Sequence, residues 1–557
     1  MNSLYFGDNL EVLRESIKDE SVDLVYLDPP FNSKRDYNLL FKSPEGAESN
    51  AQITAFEDSW HWGQQAVHEF QEVVQGSNTS VAELLIALKG FLGTNDMMAY
   101  LTMMANRLIE LHRVLKPTGS LYLHCDSTAS HYLKLVLDCV FGVENFQSDI
   151  TWQRTATHND AKRWPSITDS ILYYTKSSSF VFNPQFRPQT EEAIAERYRH
   201  QDADGRRFHL GPMDAPEGGG MAAINKTTGK PNGWYVWKGF QPPEKGWRYS
   251  PETMQQLHDQ GLIYYPTKTD GSHDLTKRLR RKLYLDETKG AVIGNVWTDV
   301  PPLQGGAQER LGYPTQKPLA LLERILSASS NPGDMVLDPF CGCGTAVDAA
   351  QKLGRKWIGI DITHLAVSLI EKRMKDRYPG IKFEVHGTPK DLAGAIDLAE
   401  RDKYQFQWWA CSLVDAQPFG GKKKGADGGI DGLIYFGDIA GGKEVTQKAV
   451  VSVKGGNTNV SHIRDLKGVM ERDKAAIGLF VTLEKPSKPM VKEAADAGEF
   501  KAGNGKLYPR LQVLSIEDLF NGKRAQMPDM AMGTLTFKKA TAHKKKSEAT
   551  PLFGEDD

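Results

Sequence analysis

Apolar positions along this chain follow two periods. Short, nearly unbroken apolar runs at 22–27, 120–124, 336–340 and 357–361 read as buried strands. Between them, Met97, Leu101, Met104, Leu108 and Leu111 recur at three- and four-residue spacing, which predicts a helix over 96–116. Further helices are expected at 319–327, 345–353 and about 365–377, with Gly354 placed as a helix C′ residue. The first strand must stop at Asp28-Pro29-Pro30, because a proline pair offers no backbone donors. Pro117-Thr118-Gly119 breaks the long helix in the same way. Strands that alternate with helices predict an α/β fold, a Rossmann-like parallel sheet with helices on both faces.

The pattern changes twice. From 183 to about 312 glycine, proline, tryptophan and tyrosine become frequent and the alternation fades, so this stretch reads as an irregular inserted module. From about 395 to 525 a smaller α+β pattern follows, with its clearest strands at 449–453 and 478–482. The expected organisation is therefore 1–182 and 313–390 as two halves of one domain, 183–312 as the insert, 395–525 as a second domain, and 526–557 as a flexible tail, basic and then acidic.

Composition narrows the class. The chain has 557 residues, enough for roughly three or four domains, of which 40% are hydrophobic and 25% charged. No apolar run reaches the roughly 18 residues of a membrane span, and the start MNSLYFGDNLEVL lacks the basic and apolar regions of a secretory signal. The five cysteines, Cys125, Cys139, Cys341, Cys343 and Cys411, are few and odd in number, as in a reducing cytoplasm. A net charge of −2 excludes a uniformly basic DNA-coating protein, so any nucleic-acid contact must come from a local patch.

The segment VLDPFCGCGTAVDAAQKLGRKWIGIDI reads as strand, glycine turn, helix and strand. Gly342 and Gly344 let a ligand approach the backbone, and Thr345 opens a helix whose free N–H groups favour a carboxylate. Asp361, 23 residues after Asp338, stands at the tip of the next strand, where an acid can receive ribose hydroxyls. An ordinary dinucleotide site is the plain alternative. The short FCGCGT turn leaves less room for a pyrophosphate and suits a ribose-bearing ligand with an amino-acid tail, such as S-adenosylmethionine.

Asp28-Pro29-Pro30-Phe31 sits at the carboxyl end of its own strand, the edge at which open α/β sheets bind ligands. A bare D-P-P would be only a stiff turn. Paired with the glycine loop, 310 residues away from Asp28 to Asp338, it suggests chemistry. The exocyclic amine of adenine or cytosine is a poor nucleophile because its lone pair is delocalised. Asp28 and the Pro29 carbonyl can each accept an N–H, localise the lone pair and let it attack a sulfonium methyl, while Phe31 stacks on the base. Such an amine is unreachable inside a duplex, so the base must be flipped out.

GDNLEVL at 7–13, LDPPFNS at 27–33, YPTQKP at 313–318 and DPFCGCGT at 338–345 together resemble the motifs of DNA amino-methyltransferases. The order, catalytic motif before cofactor motif, is similar to the β group, with its bacterial adenine-N6 enzymes and type III modification subunits. The resemblance covers roughly 1–385. It implies that Asp28, Pro29, Pro30 and Phe31 form the catalytic loop. It assigns Asp338, Pro339, Phe340, Gly342, Gly344 and Thr345 to the methionine side of the cofactor and Asp361 to its ribose. It places Asp8 and Asn9 near the cofactor adenine, and Thr315, Gln316, Lys317 and Pro318 in the motif that leads into the cofactor helix. In that family D-P-P goes mostly with adenine and S-P-P with cytosine N4. The resemblance also implies double-stranded DNA as partner, a prokaryotic or phage-borne enzyme and, as often in the β group, a homodimer.

The family's recognition region falls at 183–312. There KRLRRK places Lys277, Arg278, Arg280, Arg281 and Lys282 in six positions, which suits phosphate contacts; the alternative is a solvated helix face. Trp234, Tyr235, Trp237, Phe240, Trp247 and Tyr249 read as a small local core. Over 183–300 there are 17 Lys and Arg against 15 Asp and Glu, so the basic patch must be local.

GADGGIDGLIYF followed by AVVSVKGG resembles a nuclease core of the Mrr restriction type. Asp431 would be a Mg2+ ligand and Lys454 would polarise the attacked phosphate or water. Ser452 stands where that family has Glu or Gln, so one ligand is missing or comes from elsewhere, with Glu400 a candidate. The module either cleaves DNA with Mg2+ or only binds DNA or a partner. The leading expectation is a site-specific adenine-N6 DNA methyltransferase with a nuclease-like module. The alternatives are cytosine-N4 methylation, a single-chain restriction-modification enzyme, and a DNA-binding protein on an inactive methyltransferase scaffold.

Overall fold

The computed structural model describes the chain except for residues 31–35, 43–47, 58–60, 158–163, 219, 305–306, 308, 312, 314, 420–428, 441–442 and 529–557. It divides into two compact units, Met1–Asn183 with Gly294–Asp557, and Pro184–Ile293.

The first unit is organised by a nine-stranded sheet. In chain order its strands are β1 (Ser3–Phe6), β2 (Val22–Leu27), β3 (Leu115–Cys125), β4 (Phe146–Gln153), β5 (Thr168–Thr175), β6 (Val296–Trp297), β7 (Met335–Asp338), β8 (Lys356–Asp361) and β9 (Glu384–His386). Their spatial order is β6-β4-β5-β3-β2-β7-β8-β1-β9. All the pairings are parallel except those of β5, which runs against both β3 and β4. The expected parallel sheet is thus corrected at one strand. The strand that follows residues 154–167 lies alongside β4 in the opposite direction, in the antiparallel register of a direct return and not of a crossover.

The central strands form where the apolar runs predicted them, because both their faces are covered. Leu24, Val25, Leu27 and Leu337 are fully buried. Helix α1 (Asn9–Ser16) follows β1, and α2 (Asp96–Val114) is buried along most of its length. Helices α3 (Leu319–Ser329), α4 (Thr345–Lys352) and α5 (His364–Arg377) occupy their expected segments. Gly354 ends the α4 turn with φ +73°. Residues 116–119, with Pro117, bulge out between the pairings Val22–Leu115 and Leu24–Ser120. Among the described residues no helix is long and apolar enough to cross a membrane.

The insert is shorter than the 183–312 expected. Val296 and Trp297 pair in parallel with Thr151 and Trp152, and Trp152 Nε1 donates to the Val300 carbonyl at 2.9 Å. Residues 294–312 therefore belong to the first unit. The second unit, Pro184–Ile293, holds a four-stranded antiparallel sheet, His200–Gln201, Arg207–Pro212, Arg280–Tyr284 and Ile263–Tyr264, beside the helix Pro251–Asp259. Trp237, Phe240 and Trp247 are buried with Met254 and Leu257, and Tyr235 and Tyr249 pack against them, as the sequence suggested, whereas Trp234 is exposed.

The C-terminal part shares the first unit. Its sheet runs in sequence order through Gln417–Pro418, Gly432–Ala440, Lys443–Lys454, Ile477–Thr482 and Leu511–Ser515. Helix α6 (Lys403–Leu413) joins it to the preceding domain. Trp408 of α6 packs with Tyr313, Cys343, Leu365 and Leu369, while Cys411 Sγ donates to the Asp431 carbonyl at 3.4 Å. Residues 395–413 are therefore packed against both neighbours and do not mark a boundary between separate units.

Candidate active site

Four parallel strands stand side by side in the order β2, β7, β8, β1, and each ends at the same edge of the sheet. Leu24 pairs with Val336, Asp338 with Gly359, and Phe6 with Asp361. The ends of these strands and the loops that follow them carry Asp28, the glycine turn, Asp361 and Asp8. Residues 310 positions apart in sequence thus become neighbours.

These loops enclose a cavity of about 220 Å3. Asp28, Pro29 and Pro30 line one side; Asp338, Pro339, Phe340, Gly342 and Thr345 line another. Asp361, Asp8, Asn9, Thr315, Gln316 and Lys317 complete it. Two expected residues stand behind the wall: Pro318 is the N-cap of α3 and Gly344 the N-cap of α4. Phe31 lies outside the described residues.

The glycine loop is shaped by requirements its sequence meets. Gly342 and Gly344 have φ of +52° and +75°, and a Cβ on Gly344 would stand 2.9 Å from Ile370 Cγ1. Arg373 buttresses the loop from α5. It donates to the Cys343 carbonyl at 2.8 Å and reaches Asp348 Oδ2 through Nη2 at 2.7 Å, with both side chains almost wholly buried. Tyr378 Oη also donates to Asp348, at 2.6 Å.

Asp361 accepts hydrogen bonds from the N–H groups of Gly342 and Thr363, each at 2.9 Å, and from the Thr363 hydroxyl at 2.8 Å. It therefore ties the two loops together in addition to facing the cavity. Burial outweighs these bonds and pushes its carboxyl up to about 6. Asp338 lies well above the ordinary carboxylate range, first because it is buried and then because Asp28 and Asp361 are like charges nearby. Asp28 is paired with the ammonium of Lys317.

Asp8 caps α1 through the Leu10 N–H at 2.8 Å and receives Arg107 at 2.9 Å. Asn9 accepts from Arg107 Nε at 2.6 Å and donates to the Pro339 carbonyl at 2.9 Å. Gln316 holds its own loop, accepting from the Leu311 N–H at 2.8 Å and donating to the Glu309 carbonyl at 2.6 Å.

Arg107, Tyr26 and Tyr313 also line the cavity and were not singled out from the sequence. Tyr26 could have been found, since it lies two residues before Asp28 at the end of β2. It begins a buried chain: Tyr26 Oη to His124 Nδ1 at 3.1 Å, then His124 Nε2 to Asp169 at 3.1 Å. No local signal marks Arg107, a polar position among the apolar residues of α2.

The basic run of the second unit differs from expectation. Residues 280–284 are a strand, not a helix face. Lys277 pairs with Asp274 at 3.6 Å, Arg278 with Asp214 at 2.7 Å and Lys282 with Asp202 at 2.7 Å. Arg281 donates to Tyr249 Oη at 3.1 Å. Most of that positive charge is therefore balanced within the unit itself.

In the C-terminal part Asp431 and Lys454 do face one another, at 3.9 Å. Asp431 Oδ2 accepts the Val453 N–H at 2.7 Å and lies 3.4 Å from Ser452 Oγ. Glu400 is exposed on its helix. Among the described residues no three His, Cys, Asp or Glu side chains form a group able to hold a metal. Lys422, Lys423, Lys424 and Asp427 lie outside the described residues.

Comparison with known proteins agrees with this geometry. Residues 22–372 match the family described as DNA methylase, N6_N4_Mtase. Residues 417–514 match the family described as NACHT-associated inactive Restriction Endonuclease 1. Over 277 residues the chain is 35% identical to the Type II methyltransferase M.EcaI of Enterobacter cloacae, covering 49% of this chain and 57% of that protein. Over 369 residues it is 27% identical to the StyLTI Mod subunit of a type III restriction-modification enzyme of Salmonella typhimurium, covering 64% and 50%. The chain thus spans about half the length of these curated relatives. Among solved structures, the M1.HpyAVI–SAM complex is 17% identical with a TM-score of 0.30, covering 67% of this chain and 99% of that one.

Proposed function

The chain belongs to the DNA methylase family, matched over residues 22–372, and from that premise we propose that it methylates DNA at specific sites, carrying the methyl group of S-adenosylmethionine to N6 of an adenine flipped out of the duplex. One observation carries this reading. The D-P-P turn and the glycine loop close adjacent parallel strands and open into one cavity, with Asp28 and Asp361 both on its wall.

The residues present fit the methyl donor. Asp28, Asp338 and Asp361 gather around one cavity, and burial, followed by the repulsion of Asp28 and Asp361, pushes the Asp338 carboxyl up. A ligand bearing a sulfonium and an ammonium relieves that repulsion, whereas a dinucleotide pyrophosphate would add to it. Gly342 lines the cavity at a positive φ, and the missing Cβ of Gly344, behind the wall, lets the loop pack on Ile370. When bound, the donor supplies an electrophilic methyl group on sulfur.

The chain's own work is positioning. Asp28 and the Pro29 carbonyl each accept an N–H of the target amine and turn its lone pair toward the cavity. As the carbon–sulfur bond breaks and the carbon–nitrogen bond forms, the nitrogen releases one proton along its hydrogen bond to Asp28. Asp361 receives the ribose hydroxyls, and Thr345 at the start of α4 faces the carboxylate end of the donor. The second unit, Pro184–Ile293, reads the DNA sequence, with Lys277, Arg278, Arg280, Arg281 and Lys282 as phosphate contacts in exchange for their internal partners.

The test is to digest DNA methylated by the chain to nucleosides and weigh the product. N6-methyladenine is expected. N4-methylcytosine alone rejects the choice of base, and equal methyl incorporation by wild type and Asp28→Ala removes Asp28 from the mechanism.

For the C-terminal module we propose a binding role without cleavage, toward DNA or a protein partner. Asp431 spends a carboxylate oxygen on the Val453 N–H, and Ser452 supplies a hydroxyl where a second acid would be needed.

A further inference from the structure

We propose that Lys317 is a positioning residue for methyl transfer, one that fixes the Asp28 carboxylate by holding one of its two oxygens. The proposal rests on the functional reading above and adds to it a role the cofactor motif does not assign.

Lys317 and Asp28 are 289 residues apart, yet the Lys317 ammonium donates to Asp28 Oδ2 inside the cavity. Their side chains are only 13% and 15% exposed, so this is no solvent-screened surface pair. Both backbones are stiff at this point. Pro29 and Pro30 follow Asp28; Pro318 follows Lys317 with φ −60°, and Gln316 clamps the same loop to Leu311 and Glu309. The contact is thus built from both sides.

The chemical consequence follows from donor geometry. A lysine ammonium is a compact point donor, and of the two Asp28 oxygens it reaches Oδ2. Among the described residues no donor reaches Oδ1 of Asp28. That oxygen is the one left to accept an N–H from a target amine, and the ammonium stops the carboxylate from rotating away. Lys317 acts through Asp28 and needs no contact with the reacting atoms. An arginine at 317 would grip both oxygens with its fork and compete with the amine.

The experiment measures kcat, the KM for S-adenosylmethionine and the equilibrium affinity for S-adenosylmethionine in wild type, Lys317→Met and Lys317→Arg. Lys317→Met should lower kcat roughly 100-fold, the scale of a catalytic group set loose. Lys317→Arg should lower it by a similar factor despite keeping the charge. In both, cofactor affinity should stay within about threefold of wild type, which also reports that the variants fold. A kcat near wild type in either variant overturns the proposal. So does a loss that lies wholly in cofactor affinity, since that places Lys317 on the cofactor.

A second readout needs no turnover. Acetylation of Lys317 by acetic anhydride, followed by mass spectrometry, should be slower in wild type than in Asp28→Ala. Equal rates overturn the pairing. A wild type that transfers no methyl group to DNA while still protecting Lys317 would sink the functional reading and leave the pairing standing.

Discussion

The backbone N–H of Gly342 donates to Asp361 Oδ2 across 2.9 Å, so the acid expected to hold the ribose also holds the glycine loop in place. Its protonation therefore touches both fold and ligand. Burial raises this carboxyl from an ordinary 3.8 to about 6. The folded chain then binds the proton more tightly than the unfolded chain. The stabilisation this gives is full below about pH 4 and is lost as pH rises through about 6. Cofactor binding has the opposite sign, because the ionised form is the better acceptor for ribose hydroxyls. Calorimetry from about pH 5 to about pH 8 should show S-adenosylmethionine binding tighten and then level off. Asp361→Asn should bind weakly with little pH dependence. A flat wild-type profile would remove Asp361 from cofactor binding.

Gly344 and Gly380 make a matched pair. Both have positive φ, +75° and +81°, but a Cβ would meet Ile370 at the first and nothing within 4 Å at the second. Gly380→Ala should cost about 1–2 kcal/mol from the left-handed backbone alone. Gly344→Ala should cost more and also weaken the cofactor. Urea unfolding of both variants checks this, and equal losses would dismiss the clash.

Arg373→Met should be among the more damaging single changes in the first unit. It leaves Asp348, wholly buried, with Arg377 at 3.0 Å and the Tyr378 hydroxyl, and it strips a donor from the Cys343 carbonyl. Breaking a buried pair costs about 3–5 kcal/mol, and here the remaining partners favour the lower end. A measured loss below about 1 kcal/mol would show that the network relaxes around the gap.

Supercoiled plasmid incubated with the chain and Mg2+ should stay uncut, with or without Asp431→Ala. Methyl transfer should be indifferent to a chelator. Nicking that disappears in Asp431→Ala would restore the nuclease reading and require a metal ligand from outside the pairing of Asp431 with Lys454.

What could be read along the chain was local. The D-P-P stop, the two glycines and the acid at the end of β8 are short signals, each set by a backbone demand at its own position. The long-range features were not legible. The reversed β5 is a matter of which strand it joins, and nothing in TDSILYYT states a direction. Val296 and Trp297 are too short a strand to stand out, which moved the end of the insert by about twenty residues. KRLRRK looked like free charge because two of its partners, Asp202 and Asp214, lie 80 and 64 residues from Lys282 and Arg278. Arg107 joined the site for the same reason, through Asp8 99 residues away.

Helix α6 ties the part of the chain that matches the DNA methylase family to the part that matches the restriction-endonuclease-like family. Trp408 packs beneath the glycine loop, and three positions later Cys411 is tethered to the strand start of the other module. Trimming the chain after β9 would open an indole-sized hollow under Cys343 and Tyr313. A fragment of the first half that keeps this packing must therefore run at least through Leu413.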